Sequence, residues 1–151
     1  MSDCECCQPQ QVSGACGAVS VLLHVDIAAP QAKVWKAMTA EIGKWWLKDF
    51  HCAPGSKKIT MEVKPGGRVY ETDGKGGGLV WYTITALQKG TSVTMAGHFG
   101  PPFGGPVTTI LTLKLEKAGS GTRLSVSDYL YGLVSPNLSA SMEAGWKRLF
   151  I

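Results

Sequence analysis

Between residues 59 and 130 the chain repeatedly alternates short, apolar-patterned segments with turns rich in glycine and proline. Alternation of apolar and polar residues over four to eight positions is typical of a strand with one buried face. Strands that follow one another through tight turns pair antiparallel. The sequence therefore predicts six consecutive antiparallel strands, at residues 59–64, 68–72, 79–87, 92–99, 107–115 and 124–130.

The predicted strands are flanked by another strand and by segments with helical periodicity. Residues 19–27 alternate as a first strand, and Pro30 suits the first turn of a helix that follows it. A second short helix is predicted at residues 41–47, and an amphipathic helix follows Pro136. The order strand, two helices, six strands and helix indicates an α+β fold with an antiparallel sheet.

Length and charge narrow the class of protein. A chain of 151 residues is expected to form one domain, and it contains no apolar run long enough for a membrane span. Its net charge of +4 is spread along the chain without a basic run interleaved with aromatic residues, so a nucleic-acid platform is not expected. The first residues lack the features of a signal peptide, which predicts a cytoplasmic protein.

The first seventeen residues differ from the rest of the chain. They show no apolar periodicity, and we interpret residues 1–17 as a disordered tail preceding a domain at residues 18–151. Cys4, Cys6 and Cys7 crowd into this tail and are weak candidates for a soft-metal site. Their spacing does not match a structural zinc site, so reactive thiols are the preferred interpretation and no cofactor is expected.

Several segments, in their order and spacing, together resemble a known family. They begin with Ile27-Ala28-Ala29-Pro30 and end with Gly145-Trp146-Lys147-Arg148-Leu149. The set is similar to START-like (SRPBCC) domains, and within them to the branch of activator of heat-shock-protein-90 ATPase homologue-like proteins. The other segments that carry the resemblance lie between residues 30 and 145, and they are residues 34–39, 45–46, 65–70, 79–87 and 121–126.

The resemblance implies a helix-grip fold, in which a curved seven-stranded antiparallel sheet wraps around a long C-terminal helix and leaves a cavity between them. Members include lipid and sterol carriers, polyketide cyclases and dehydratases, hormone receptors and a co-chaperone domain. Fold alone does not decide among these functions. We expect binding of a small hydrophobic ligand, lipid or polyketide-like, with a cyclase or dehydratase and a co-chaperone-like protein-binding module as alternatives. The chain is expected to be a monomer or homodimer.

Aromatic side chains are the main candidates for the ligand site. Pockets for small molecules are usually lined by rings and a few polar groups, although for any single ring a place in the core is the stronger interpretation. Trp146 and Met142 are favoured because they lie on the helix that forms one wall of the family's cavity. The candidate ligand-binding residues are Trp45, Trp46, Tyr70, Trp81, Met95, Phe99, Phe103, Leu111, Asp128, Met142 and Trp146.

Asp128 is a weak candidate for acid–base chemistry, together with a tyrosine or a histidine. By strand parity it shares a face with apolar residues, where a carboxylate must be paired, protonated or beside a wet cavity. The preferred interpretation is instead that alternation fails near a strand end and that Asp128 faces water. Three other acidic residues are expected to face solvent, namely Glu62, Glu71 and Asp73. The three histidines, His24, His51 and His98, are expected at the surface.

Overall fold

The computed structural model describes residues 15–103 and 105–151. One antiparallel sheet contains seven strands in the order β1-β7-β6-β5-β4-β3-β2. Every neighbouring pair in this order except β1–β7 is also consecutive along the chain, as expected for strands joined by tight turns. The strands are β1 (Ala15–Ile27), β2 (Lys58–Met61), β3 (Arg68–Thr72), β4 (Gly78–Gln88), β5 (Ser92–Phe99), β6 (Val107–Ala118) and β7 (Gly121–Val134).

Strand β1 begins earlier than the sequence predicts. Its ladder with β7 starts at the pair Ala15 and Val134 and runs without a break to Ile27 and Thr122. Residues 15–17, which the sequence analysis assigns to the tail, therefore belong to the sheet. Cys4, Cys6 and Cys7 lie outside the described residues.

The segment after β1 forms two short helices, as predicted. Helix α1 (Gln31–Met38) follows Pro30 and buries Val34 and Met38, which are one turn apart on the same face. Helix α2 (Ile42–Trp45) follows at once and buries Ile42. A 3₁₀ turn at Lys48–Phe50, which the sequence did not predict, then leads towards β2.

The core lies on one face of the sheet, where the inward residues of β3 to β7 alternate with half-exposed or exposed ones. Strand β7, for example, buries Leu124, Val126, Asp128 and Leu130 in succession. Burial of aliphatic side chains of this size contributes about 1.5–3 kcal/mol each to folding. The fully buried apolar side chains are Val69, Ile84, Val93, Leu111, Leu115, Leu124, Val126 and Leu130.

Helix α3 (Leu138–Phe150) covers the concave face of the sheet and packs against β1. It buries Leu138 near its start and Trp146 two turns later. This arrangement confirms the α+β prediction and the helix-grip architecture of a curved seven-stranded sheet with a C-terminal helix. Among the described residues, no helix is both long and apolar enough to cross a membrane.

Candidate ligand-binding site

A cavity of about 400 Å³ lies between helix α3, the turn that follows α2, and the ends of strands β4 and β5. The 3₁₀ turn at Pro101–Phe103 contributes Phe103 to its rim. Most of the lining is apolar, as in a typical small-molecule pocket. The lining residues are Trp46, Phe50, Trp81, Tyr82, Phe99, Phe103, Ser141, Met142, Ala144, Gly145, Trp146, Arg148 and Leu149.

Six of the eleven candidate residues meet in this cavity, and four of them form a connected group of rings. The ring of Trp81 lies at the centre, with centroids 5.8 Å from Trp46 and 5.9 Å from both Phe99 and Phe103. The tilted and edge-on orientations are those that aromatic pairs prefer. Met142 and Trp146 supply the opposite wall from α3.

Three further candidates lie outside the cavity lining. Trp45, Met95 and Leu111 line a void of about 10 Å³ that is too small for an organic ligand. Met95 and Leu111 are buried, at 2% and 1% exposure, and belong to the core. Trp45 is held by a 2.8 Å hydrogen bond from its indole Nε1 to the Ala37 carbonyl oxygen.

Tyr70 is a correction to the predicted site. It lies on the outer face of β3, because Val69 and Glu71 take the two neighbouring inward positions. The guanidinium carbon of Arg68 lies 4.9 Å from the centre of its ring, a cation–π contact on the solvent side. Tyr70 is therefore on the opposite side of the sheet from the cavity.

Asp128 is fully buried, so the expectation that it faces water is wrong. Its Oδ2 accepts a 2.9 Å hydrogen bond from Nε1 of Trp146, and its Oδ1 accepts one from the hydroxyl of Thr109. Burial raises the pKa of this carboxyl above its ordinary value, although both hydrogen bonds oppose the rise. Asp128 does not line the cavity, and its partners tie helix α3 to the sheet.

Tyr82 belongs to the same buried polar group, and the sequence analysis did not include it. Burial raises its pKa well above the ordinary value, and the nearby Asp128 carboxylate adds to this effect, whereas the Thr109 hydroxyl opposes it. The phenol is therefore neutral and lines the cavity floor. Tyr82 has the same strand parity as Ile84, which is the signal that identifies it as inward-facing.

Glu71 is a second buried carboxylate, and the prediction that it faces solvent is also wrong. Its Oε1 accepts a 2.6 Å hydrogen bond from Nε1 of Trp81, a central ring of the cavity. His51 Nδ1 lies 3.1 Å from Oε2, and the backbone amides of Cys52 and Ala53 lie 3.2 and 3.4 Å from the two oxygens. Burial disfavours the charged carboxylate, but hydrogen bonds to it prevail and the pKa of Glu71 is lower than usual.

His51 is mostly buried beside this carboxylate, contrary to the surface position predicted for it. Ser56 Oγ lies 3.3 Å from the same Nδ1 atom that faces Glu71. Because the hydroxyl and the carboxylate approach the same ring nitrogen, the three residues do not have the geometry of a nucleophilic triad. They hold residues 51–56 against β3 and so position Trp81. His98 is exposed, as predicted.

One charged residue among the described lining residues, Arg148, stands at the opening of the cavity. Its Nη2 lies 2.5 Å from Oδ2 of Asp49, in the turn after α2, and both side chains are more than half exposed. Its guanidinium carbon also lies 5.2 Å from the centre of the Phe50 ring. This ion pair joins the last turn of α3 to the opposite side of the opening.

Comparison with protein families identifies the chain. Residues 28–150 match the family described as activator of Hsp90 ATPase homolog 1-like protein. The chain belongs to this family. The match spans α1 to α3 and therefore includes all the lining residues of the cavity. No curated protein sequence matches the chain.

Solved structures share the fold of this family member at low sequence identity. The solution structure of the Aha1 dimer from Colwellia psychrerythraea is 18% identical, with a TM-score of 0.59 over 85% of this chain and 88% of that one. CalU16 from Micromonospora echinospora is 19% identical, with a TM-score of 0.61 over 91% and 80%. Ara h 8.0201 is 17% identical, with a TM-score of 0.63 over 89% and 93%.

Proposed function

We propose that the chain binds a small hydrophobic molecule, lipid or polyketide-like, in the cavity between the sheet and helix α3. The observation that carries the proposal is the cavity of about 400 Å³ with a continuous wall of aromatic rings. Its volume is within the range of about 300–1,000 Å³ usual for small-molecule pockets. Contact with these rings would remove apolar ligand surface from water at about 25 cal/mol per Å².

The buried carboxylates near the cavity support binding rather than catalysis. The two carboxylates behind the walls, Asp128 and Glu71, are engaged by the indole N–H groups of Trp146 and Trp81. A cyclase or dehydratase would need an acid or base facing its substrate, within about 3 Å of the proton that moves. Asp128, the candidate for that role, has both oxygens occupied and does not line the cavity.

The test is binding of an uncharged aromatic probe, methyl 2-naphthoate, measured by calorimetry and by mass spectrometry of the native protein. Met142→Trp adds volume on the α3 wall and should weaken binding at least tenfold. The matched control is Leu22→Trp, which adds a similar ring on the outer face where Leu22 is 64% exposed. Equal binding by both variants, or no binding by the unchanged protein, would contradict the proposal.

A protein-binding role is the second candidate, and an exposed apolar surface favours it. Tyr129 and Tyr131 are each 52% exposed on the outer face of β7. Leu22, 64% exposed on β1, pairs with Ser127, two residues before Tyr129. Exposed apolar patches of this kind are typical of interaction sites. The test is stimulation of a chaperone ATPase by the chain, with Tyr129→Ser plus Tyr131→Ser expected to abolish it. The cytoplasmic location and the monomeric or dimeric state stay predictions.

A further inference from the structure

We propose that the ligand of this cavity carries a carboxylate or another small anionic group, and that Arg148 binds it by exchanging Asp49 for the ligand. The inference rests on the proposed binding function and adds the chemical class of the ligand. Such a ligand is amphipathic, with an apolar body among the rings and an anion at the opening.

The first argument is that the polar side chains free to contact a ligand are mainly hydrogen-bond donors. Trp146 and Trp81 donate their indole N–H groups to buried carboxylates, so these acceptors are already satisfied. What the described lining side chains still offer are mainly donors. Arg148 carries five N–H groups, only some of which face Asp49.

Trp46 supplies the second argument. Its Nε1 is the one buried side-chain nitrogen or oxygen without a hydrogen-bond partner among residues 15–103 and 105–151. The residue is only 8% exposed, and a buried donor without an acceptor costs about 1–3 kcal/mol. The ring of Phe50 packs against both side chains, with its centroid 6.3 Å from that of Trp46 and 5.2 Å from the Arg148 guanidinium carbon. The side chain with the unpartnered donor, Trp46, and the exposed cation, Arg148, therefore contact the same ring of the wall.

The third argument is that the Asp49–Arg148 pair is easily exchanged. Both side chains are more than half exposed, and exposed ion pairs contribute little net stability because water competes for both charges. A ligand carboxylate can form the same ion pair with Arg148 as Asp49 does. The ligand gains in addition from burial of its apolar body in the cavity. A guanidinium binds a carboxylate through two parallel hydrogen bonds, which also fixes the direction of the ligand.

The experiment compares two probes that share one apolar body, 2-naphthoate and methyl 2-naphthoate, by calorimetry on the full chain. We expect the carboxylate to bind at least tenfold more tightly than the ester. Arg148→Gln should weaken binding of 2-naphthoate far more than binding of the ester, and should so remove this preference. Asp49→Asn should increase the affinity for 2-naphthoate several-fold, because it removes the acceptor that competes for Arg148.

The chain offers a matched control pair. Arg123 and Asp26 form a similarly exposed ion pair, with Nε to Oδ1 at 2.8 Å, on strands β7 and β1 and outside the cavity lining. Arg123→Gln and Asp26→Asn change the net charge in the same way and should leave both affinities unchanged.

The outcomes separate this inference from the proposal on which it rests. If the ester and the carboxylate bind with equal affinity, the cavity binds apolar molecules but the proposal that it recognises an anion is wrong. If the carboxylate preference survives Arg148→Gln, or is lost equally in Arg123→Gln, the assignment to Arg148 is wrong. If neither probe binds at millimolar concentration, both proposals fail.

Discussion

The indole Nε1 of Trp146 donates a 2.9 Å hydrogen bond to Oδ2 of Asp128, and this bond joins helix α3 to strand β7. Asp128 is fully buried and Trp146 is 6% exposed, so water does not compete for the bond. The helix that forms one wall of the cavity is thereby fixed to the sheet that forms the floor.

Replacing Trp146 by Phe should lower the free energy of unfolding by about 2 kcal/mol more than replacing Trp46 by Phe. Both substitutions remove similar volume from similarly buried positions, but only Trp146 has a hydrogen-bond partner. Losing its N–H leaves a buried carboxylate oxygen without a donor. Urea unfolding of the two variants measures the difference, and equal losses would show that the Asp128 bond adds nothing.

Replacing Glu71 by Gln should destabilise the protein by about 2 kcal/mol and loosen Trp81. The amide that replaces the carboxylate cannot form charge-assisted hydrogen bonds. Its NH₂ group is a donor and cannot accept a hydrogen bond from the N–H groups of Trp81 and Cys52. The matched control is Glu62→Gln, which removes a carboxylate from an exposed ion pair with Arg68 and should hardly change the urea midpoint. Acrylamide quenching of tryptophan fluorescence should rise only in the Glu71 variant, and a rise in both would contradict this assignment.

The two buried carboxylates should affect stability with opposite dependence on pH. The folded-state pKa of Glu71 lies below its ordinary value of 4.5, so its stabilising contribution is present above that pH and is lost on acidification. The folded-state pKa of Asp128 lies above its ordinary value of 3.8, so its contribution is fully present only below that pH and is lost as the pH rises.

Urea midpoints measured from pH 3 to pH 7 check both signs. The advantage of the unchanged protein over Glu71→Gln should shrink as the pH falls below about 4.5, and its advantage over Asp128→Asn should shrink as the pH rises above about 3.8. If the urea midpoint of a variant changes with pH in parallel with that of the unchanged protein, the direction assigned to the pKa shift of that carboxyl group is wrong.

Replacing Gly145 by Ala should raise the free energy of unfolding by about 0.5–1 kcal/mol, since glycine inside a helix is less favourable than alanine. A Cβ there would lie 3.8 Å from Cε1 of Phe50, an ordinary contact. Gly67 is the contrasting position, because a Cβ there would lie 2.0 Å from the Glu62 carbonyl oxygen, and Gly67→Ala should destabilise the protein strongly. Thermal unfolding of both variants measures the effect, and a lower midpoint for Gly145→Ala would contradict the contact geometry.

The sheet could be predicted from the sequence because alternation is a local property. The bounds of β3 and β5 agree with the predicted segments, since every second residue there is buried and clear turns flank both strands. Strand parity also placed Asp128 on the apolar face, and the error was to prefer a local failure of that pattern. The same parity puts Glu71 on the inner face with Val69, so its burial could have been recognised too.

The partners of these residues could not be predicted, because they come from distant parts of the chain. Nothing in the local pattern pairs Asp49 with Arg148, and the contact forms only when α3 crosses the turn after α2. Likewise, the position of Met95 and Leu111 outside the cavity lining depends on the curvature of the whole sheet. The sequence therefore predicted a cavity lined by rings, but not which rings line it.

The ladder between β1 and β7 has a consequence for how the protein is made. During synthesis β1 emerges before the other strands of the described sheet, whereas its neighbour in that sheet, β7, emerges after all of them. At ribosomal rates of about 5–20 residues per second, β1 waits on the order of ten seconds with both edges open. Closing so long a loop is slow and entropically costly, so the nascent chain is exposed to wrong strand pairing while β2 to β6 are being made.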